Sequence, residues 1–172
     1  LGTTKWVANL GITLFALPLI VLGPIGGRWA QVYGPFKIGV AGLLAGAFCM
    51  TMYGLMPTGG LVFAVAMLHA VSDGFTVSST GVAVGMTVPE DRQAGAQGVL
   101  GGAQALAAGI MAVLTGVLYE AFGRTVAYAF CGSVMVVLVA IGAWLARSAW
   151  SLSRPLHVED PIGPEPSPVS SS

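Results

Sequence analysis

The chain has 172 residues, 55% hydrophobic and 8% charged, with no net formal charge and a mean hydropathy of +0.84. A soluble domain carries about 25% charged residues, so seven Lys/Arg and seven Asp/Glu exclude an ordinary water-facing surface. No basic patch exists to hold nucleic acid, and the class is integral membrane protein.

The chain opens LGTTKW, without an initiator Met. The apolar run behind it is too long for a signal peptide and lacks a small-residue cleavage site. The expectation is therefore a fragment of a longer protein. Five apolar runs follow, each near the ~20 residues that a spanning helix needs: 6–26, 36–56, 61–84, 96–119 and 125–145. Backbone groups in hydrocarbon must be satisfied within the segment, so the predicted fold class is an all-α polytopic bundle of about five transmembrane helices. Pro18 lies inside the first run and is expected to bend it. The turns carry breaker signals at Gly34, Met56, Val88 and Phe122.

The run over residues 61–88 organises the rest. It holds the only two ionisable side chains deep in any apolar run, His69 and Asp73. A carboxylate at bilayer depth costs roughly 2.5–3.5 kcal/mol on insertion scales, so it needs a wet or paired setting. Four residues apart, the two share a helix face, and Thr76 and Thr80 continue the stripe. At about 1.5 Å per residue, Asp73 lies ~18 Å from Leu61, near the middle of a ~30 Å core. The fourth run adds Gln93, Gln97 and Gln104 on one face, while the second and fifth are almost purely apolar. Two readings of the His69–Asp73 pair stand: a proton relay or substrate contact, the default for intramembrane ionisable groups, and a structural polar cluster between helices.

Residues 148–172 hold five of the ten prolines, several serines and no long apolar run, which reads as a disordered tail. Arg28, Lys37, Arg92, Arg147 and Arg154 fall on one side of the predicted topology, against Lys5 and Arg124 on the other. The positive-inside rule then puts the tail in the cytoplasm, with the plasma (cell inner) membrane as the expected location. Trp6, Trp29, Trp144 and Trp150 stand near run ends, as interface aromatics do. Gly is 25 of 172 against a usual ~7%. The pairs Gly23/Gly27, Gly42/Gly46 and Gly98/Gly102 suit close helix packing. Cys49 and Cys131 read as small buried hydrophobes. No nucleophile triad, metal-ligand cluster or cofactor motif is present, so no enzyme activity, metal or cofactor is expected.

The segment GPIGGRWAQVYGPFK carries Gly27, Ala30, Gly34 and Lys37 where the major facilitator superfamily has its signature loop, G-x-x-x-D-R-x-G-R-x. Gln31, Val32 and Pro35 replace that motif's Asp and two Arg, so Gln31 can hydrogen-bond where a carboxylate would pair. VPEDRQAGAQGVLGGAQALAAG resembles the family's entry to the fifth helix of a six-helix half, and GVLYEAFGR resembles the end of that helix. The resemblance covers residues 6–147 and implies helices eight to twelve, in the C-terminal half. It further implies a secondary transporter of small molecules whose cavity is completed by a missing N-terminal half, and the His69–Asp73 pair makes protons the expected coupling ion. In that family the first, second, fourth and fifth helices of a half line the cavity. The implied site comprises Asp73, His69, Thr76, Thr80, Gln97 and Gln104 as coupling or cavity residues, with Gly27, Gln31, Gly34 and Lys37 as the signature loop. The alternative is a non-transporting polytopic scaffold or assembly protein, with the lipid bilayer as its setting in either case.

Overall fold

A computed structural model describes residues 5–151, with side chains described for 16–148 and 150. Four long helices carry the architecture: α1 (Lys5–Tyr33), α2 (Pro35–Leu55), α3 (Gly59–Thr87) and α4 (Gln93–Leu145). A 3-10 turn at Glu90–Arg92 leads into α4, and a 3-10 segment, Ala146–Ser151, follows it. The expected tail lies outside the described residues from position 152 onward. Pro35–Leu55, Gly59–Thr87 and the stretch Glu90–Ser148 are each long and apolar enough to cross a membrane.

Local chemistry sets the ends. Gly34 (φ 97°, ψ 131°) separates α1 from α2, and Pro35 starts α2, where its missing N–H costs nothing. The segment expected as a loop, Gly27 to Lys37, is therefore helical except at Gly34. No residue from Gly27 to Tyr33 is a strong helix breaker in this setting, so α1 runs on through it. Pro18 and Pro24 both sit inside α1. Thr58 caps α3, its Oγ1 accepting from the Leu61 N–H at 3.4 Å.

α4 is two helices in one. Gly123 has φ 81° and ψ 175°, a backbone region essentially reserved for glycine. In a straight helix, residues sixteen apart would be about 24 Å from each other. Here the Thr115 hydroxyl and Cys131 thiol meet at 2.8 Å. The chain therefore doubles back at Gly123, making a first limb over 93–122 and a second over 124–145.

α3 lies between α1 and α2, and α2 lies between α3 and the second limb. Leu19 and Leu22 approach Gly74 while Gly23 approaches Ser78, so α1 and α3 run parallel. Gly42 faces Thr76 and Gly46 faces Ser72, so α2 and α3 are antiparallel. The second limb is antiparallel to α2, with Thr125 beside Gly54 and Met135 beside Gly46.

Small residues permit these approaches. A Cβ on Gly42 would lie 2.5 Å from Thr76 Oγ1 and 3.0 Å from the Ser72 carbonyl oxygen. A Cβ on Gly132 would collide with Thr51 Oγ1 and stand 2.9 Å from the Ala47 oxygen. Of the small-residue pairs, Gly42/Gly46 packs on a neighbour, whereas Gly27, Gly98 and Gly102 face open space. The core is correspondingly small: Ala30, Ala47, Cys49, Ala70, Ala127 and Cys131 are buried. Leu, Val, Ile and Phe are exposed all around it, as expected where lipid replaces water.

The C-terminal carbonyls of α2 find partners across the bundle, as helix ends require. Arg124 Nη2 donates to the Met56 oxygen at 2.7 Å. The Thr125 hydroxyl donates to the Gly54 oxygen at 2.9 Å.

Candidate functional site in the bundle midplane

α3 has 29 residues, Gly59–Thr87, and Asp73 is its central one. One turn back, His69 Nε2 lies 3.7 Å from Asp73 Oδ1. That separation suits an ion pair when the imidazole is protonated, and it is too long for a strong hydrogen bond. The two side chains differ in access, His69 being 17% exposed and Asp73 43%. His69 is thus packed among helices while Asp73 opens outward from the bundle.

α2 supplies what orients the imidazole. The Tyr53 hydroxyl lies 3.2 Å from His69 Nδ1, and the two rings tilt together with centroids 5.7 Å apart. Gly46 leaves room beside the ring, since a Cβ there would stand 3.6 Å from Nε2. The second limb adds Tyr128, whose ring centroid is 5.7 Å from that of Tyr53. A chain of contacts therefore runs from Tyr128 through Tyr53 and His69 to Asp73, drawing on three helices.

Tyr53 and Tyr128 were not expected from the sequence. Each stands near the end of its apolar run, where a tyrosine reads as an interface anchor. A signal was nonetheless available, because a buried phenol needs a partner and His69 is the nearest sizeable polar group in the neighbouring run.

The threonines of the stripe are occupied locally. Thr76 Oγ1 donates to the Ser72 oxygen at 3.0 Å, and Thr80 Oγ1 donates to the Thr76 oxygen at 2.9 Å. Each hydroxyl keeps acceptor capacity only. Thr76 also faces Gly42 of α2, so its side chain belongs to a helix contact. Ser72 and Ser79, buried at 4% and 1% exposure, are tied to the His69 and Phe75 oxygens in the same way. Ser78 instead crosses to α1, donating to the Gly23 oxygen at 2.9 Å.

Gln97 and Gln104 are exposed on the first limb of α4, which touches α3 sparsely. They are not brought to the His69–Asp73 pair within this chain. Gln93 donates through Nε2 to the Val88 oxygen at 3.2 Å, closing the turn into α4. In the signature segment, Gly34 is buried, Gln31 and Lys37 are exposed, and Gly27 is half-buried. The neighbouring Trp29 stacks on Phe75 of α3 at 5.4 Å. Cys49 and Cys131 are buried and free. Among the described residues no group of three or more His, Cys, Asp or Glu comes together that could hold a metal ion.

An all-helical bundle with lipid-compatible outer faces and an ionisable pair at mid-depth defines a polytopic membrane protein. The chain belongs to the Major Facilitator Superfamily, which it matches over residues 1–171, and it is accordingly a transporter of the major facilitator type. Comparison with curated proteins and with solved structures gave no match.

Proposed function

We propose that the chain is the C-terminal part of a proton-coupled secondary transporter for a small molecule, with Asp73 as the proton-carrying group. One observation carries this reading: a carboxylate at the centre of α3 is 43% exposed and has a histidine 3.7 Å away. An intramembrane carboxylate that opens from its bundle is costly to keep unless it is used. His69, backed by Tyr53, offers Asp73 a charge partner when the proton leaves. Thr76, Thr80, Gln97 and Gln104 supply polar contacts to the substrate, the glutamines from a limb whose exposed face suits a cavity completed by a second, N-terminal half. The segment bearing Gly27, Gln31, Gly34 and Lys37 is the gating element, with its tight turn at Gly34. The tail is cytoplasmic, the membrane is the plasma (cell inner) membrane, and the protein performs no enzymatic chemistry.

The test is substrate flux against an imposed pH gradient in proteoliposomes, with the full-length protein. Asp73→Asn keeps size and hydrogen bonding but removes the titratable proton. Gradient-driven accumulation should vanish while exchange without a gradient survives. Full gradient-driven transport by this variant, with unchanged pH dependence, would refute the role. A purely structural pair has its own support, since His69 is only 17% exposed and already held by Tyr53; that reading predicts loss of folded protein in Asp73→Asn.

A further inference from the structure

A cavity of 890 Å³ lies between α2, the two limbs of α4 and the 3-10 segment after it. It is separate from the Asp73 end of the polar cluster and touches that cluster only through Tyr128. Its walls are Val, Leu, Met, Ala and Phe, and the hydroxyl of Thr115, one of its few polar atoms, is already engaged with Cys131. Such a lining offers a polar solute few partners. Leu138 both lines the cavity and is 61% exposed, so the cavity opens sideways onto the outer face, where hydrocarbon lies.

One end of the cavity is charged. Phe36 at the start of α2 and Ala146 after the second limb both line it, and the antiparallel pairing of these helices puts them at the same end. Lys37 and Arg147 follow them directly, and both are exposed. The Arg147 guanidinium sits over the Trp144 ring at 5.2 Å, and Trp150 closes the same end of the cavity. Two cations with two indoles at a helix end form the setting in which anionic lipid headgroups are held.

We propose that this cavity seats an acyl chain of an anionic phospholipid whose headgroup is held by Lys37 and Arg147. A lipid tail gains no hydrophobic free energy in moving from bilayer to cavity, because the bilayer is equally apolar. Filling the void restores dispersion contacts, and the two cations supply the selectivity. The site does not depend on the transport reading, and binding tests it separately from flux.

The experiment titrates dioleoyl phosphatidylglycerol or dioleoyl phosphatidylcholine into the delipidated full-length protein in detergent, with bound lipid counted by native mass spectrometry. Phosphatidylglycerol should bind at least tenfold more tightly than phosphatidylcholine. Lys37→Gln and Arg147→Gln should each weaken it roughly fivefold. Ala112→Phe, which fills the cavity without changing charge, should also weaken it, and glycerol phosphate should fail to compete. Equal binding of the two lipids would overturn the proposal. So would competition by glycerol phosphate, which marks a simple anion site, or full lipid binding by a folded Ala112→Phe variant. Should that variant not fold, the exposed Lys37→Gln/Arg147→Gln pair decides: undiminished phosphatidylglycerol binding overturns the proposal.

Discussion

The phenolic oxygen of Tyr53 on α2 stands 3.2 Å from Nδ1 of His69 on α3, and the opposite ring nitrogen faces Asp73. The imidazole therefore has a neighbour on each side, and what one nitrogen does constrains the other. Removing the phenol should expose that link. Tyr53→Phe should leave a folded protein, about 1 kcal/mol less stable for the lost hydrogen bond. The midpoint of its transport-against-pH profile should move by a few tenths to about one pH unit, the equivalent of the same free energy. A Tyr53→Phe profile superimposing on wild type would show that the phenol does not tune the pair.

Gly42 brings the backbone of α2 close against α3. Gly42→Ala puts a methyl 3.0 Å from the Ser72 oxygen and 2.5 Å from Thr76 Oγ1. The backbone cannot yield cheaply, and overpacking of this kind costs about 1–3 kcal/mol. Thermal unfolding in detergent should show a lower midpoint for Gly42→Ala, whereas Gly98→Ala, which meets open space, should leave it within error. Equal midpoints for the two variants would contradict the packing described.

Gly123 makes the turn between the limbs of α4 with φ 81° and ψ 175°. Gly123→Ala should cost about 1–3 kcal/mol, because a side chain is strained in that backbone region. The same strain should loosen the Thr115–Cys131 contact across the turn. Cys131, 6% exposed, should then react faster with a membrane-permeant thiol reagent in Gly123→Ala than in wild type. An unchanged rate together with an unchanged unfolding midpoint would show that the turn does not need glycine.

The proposed orientation is open to labelling. Cys49 and Cys131 are buried and should resist a hydrophilic maleimide, so single cysteines can be introduced on the wild-type background. Thr58→Cys should label from outside and Asp91→Cys from the cytoplasmic side. Labelling of both from one face would defeat the tail-inside topology.

Arg124 fastens the second limb to the end of α2 through the Met56 oxygen. Arg124→Gln should destabilise the bundle by about 1.5–3 kcal/mol, the usual worth of a hydrogen bond from a charged group. Denaturant unfolding followed by tryptophan fluorescence would measure it. A midpoint equal to wild type would show the bond to be dispensable.

The sequence by itself determined the membrane class, the helical character and the run that holds the ionisable pair. These follow from composition and period, because a bilayer forces unbroken helices and makes any ionisable residue conspicuous. His69 and Asp73 were legible for that reason, since their spacing is local to one helix. What surrounds them was not. Tyr53 pairs with His69 sixteen residues away, and Tyr128 joins from a third helix, contacts that only the antiparallel packing of α2 against both α3 and the second limb decides. Likewise Thr76 and Thr80 share the stripe in projection, yet their hydroxyls turn back onto their own helix and Thr76 packs on Gly42. Helix period tells which face a residue occupies. Which neighbour that face meets depends on how closely the glycines of α2 let the backbones approach, and that is a property of the tertiary structure alone.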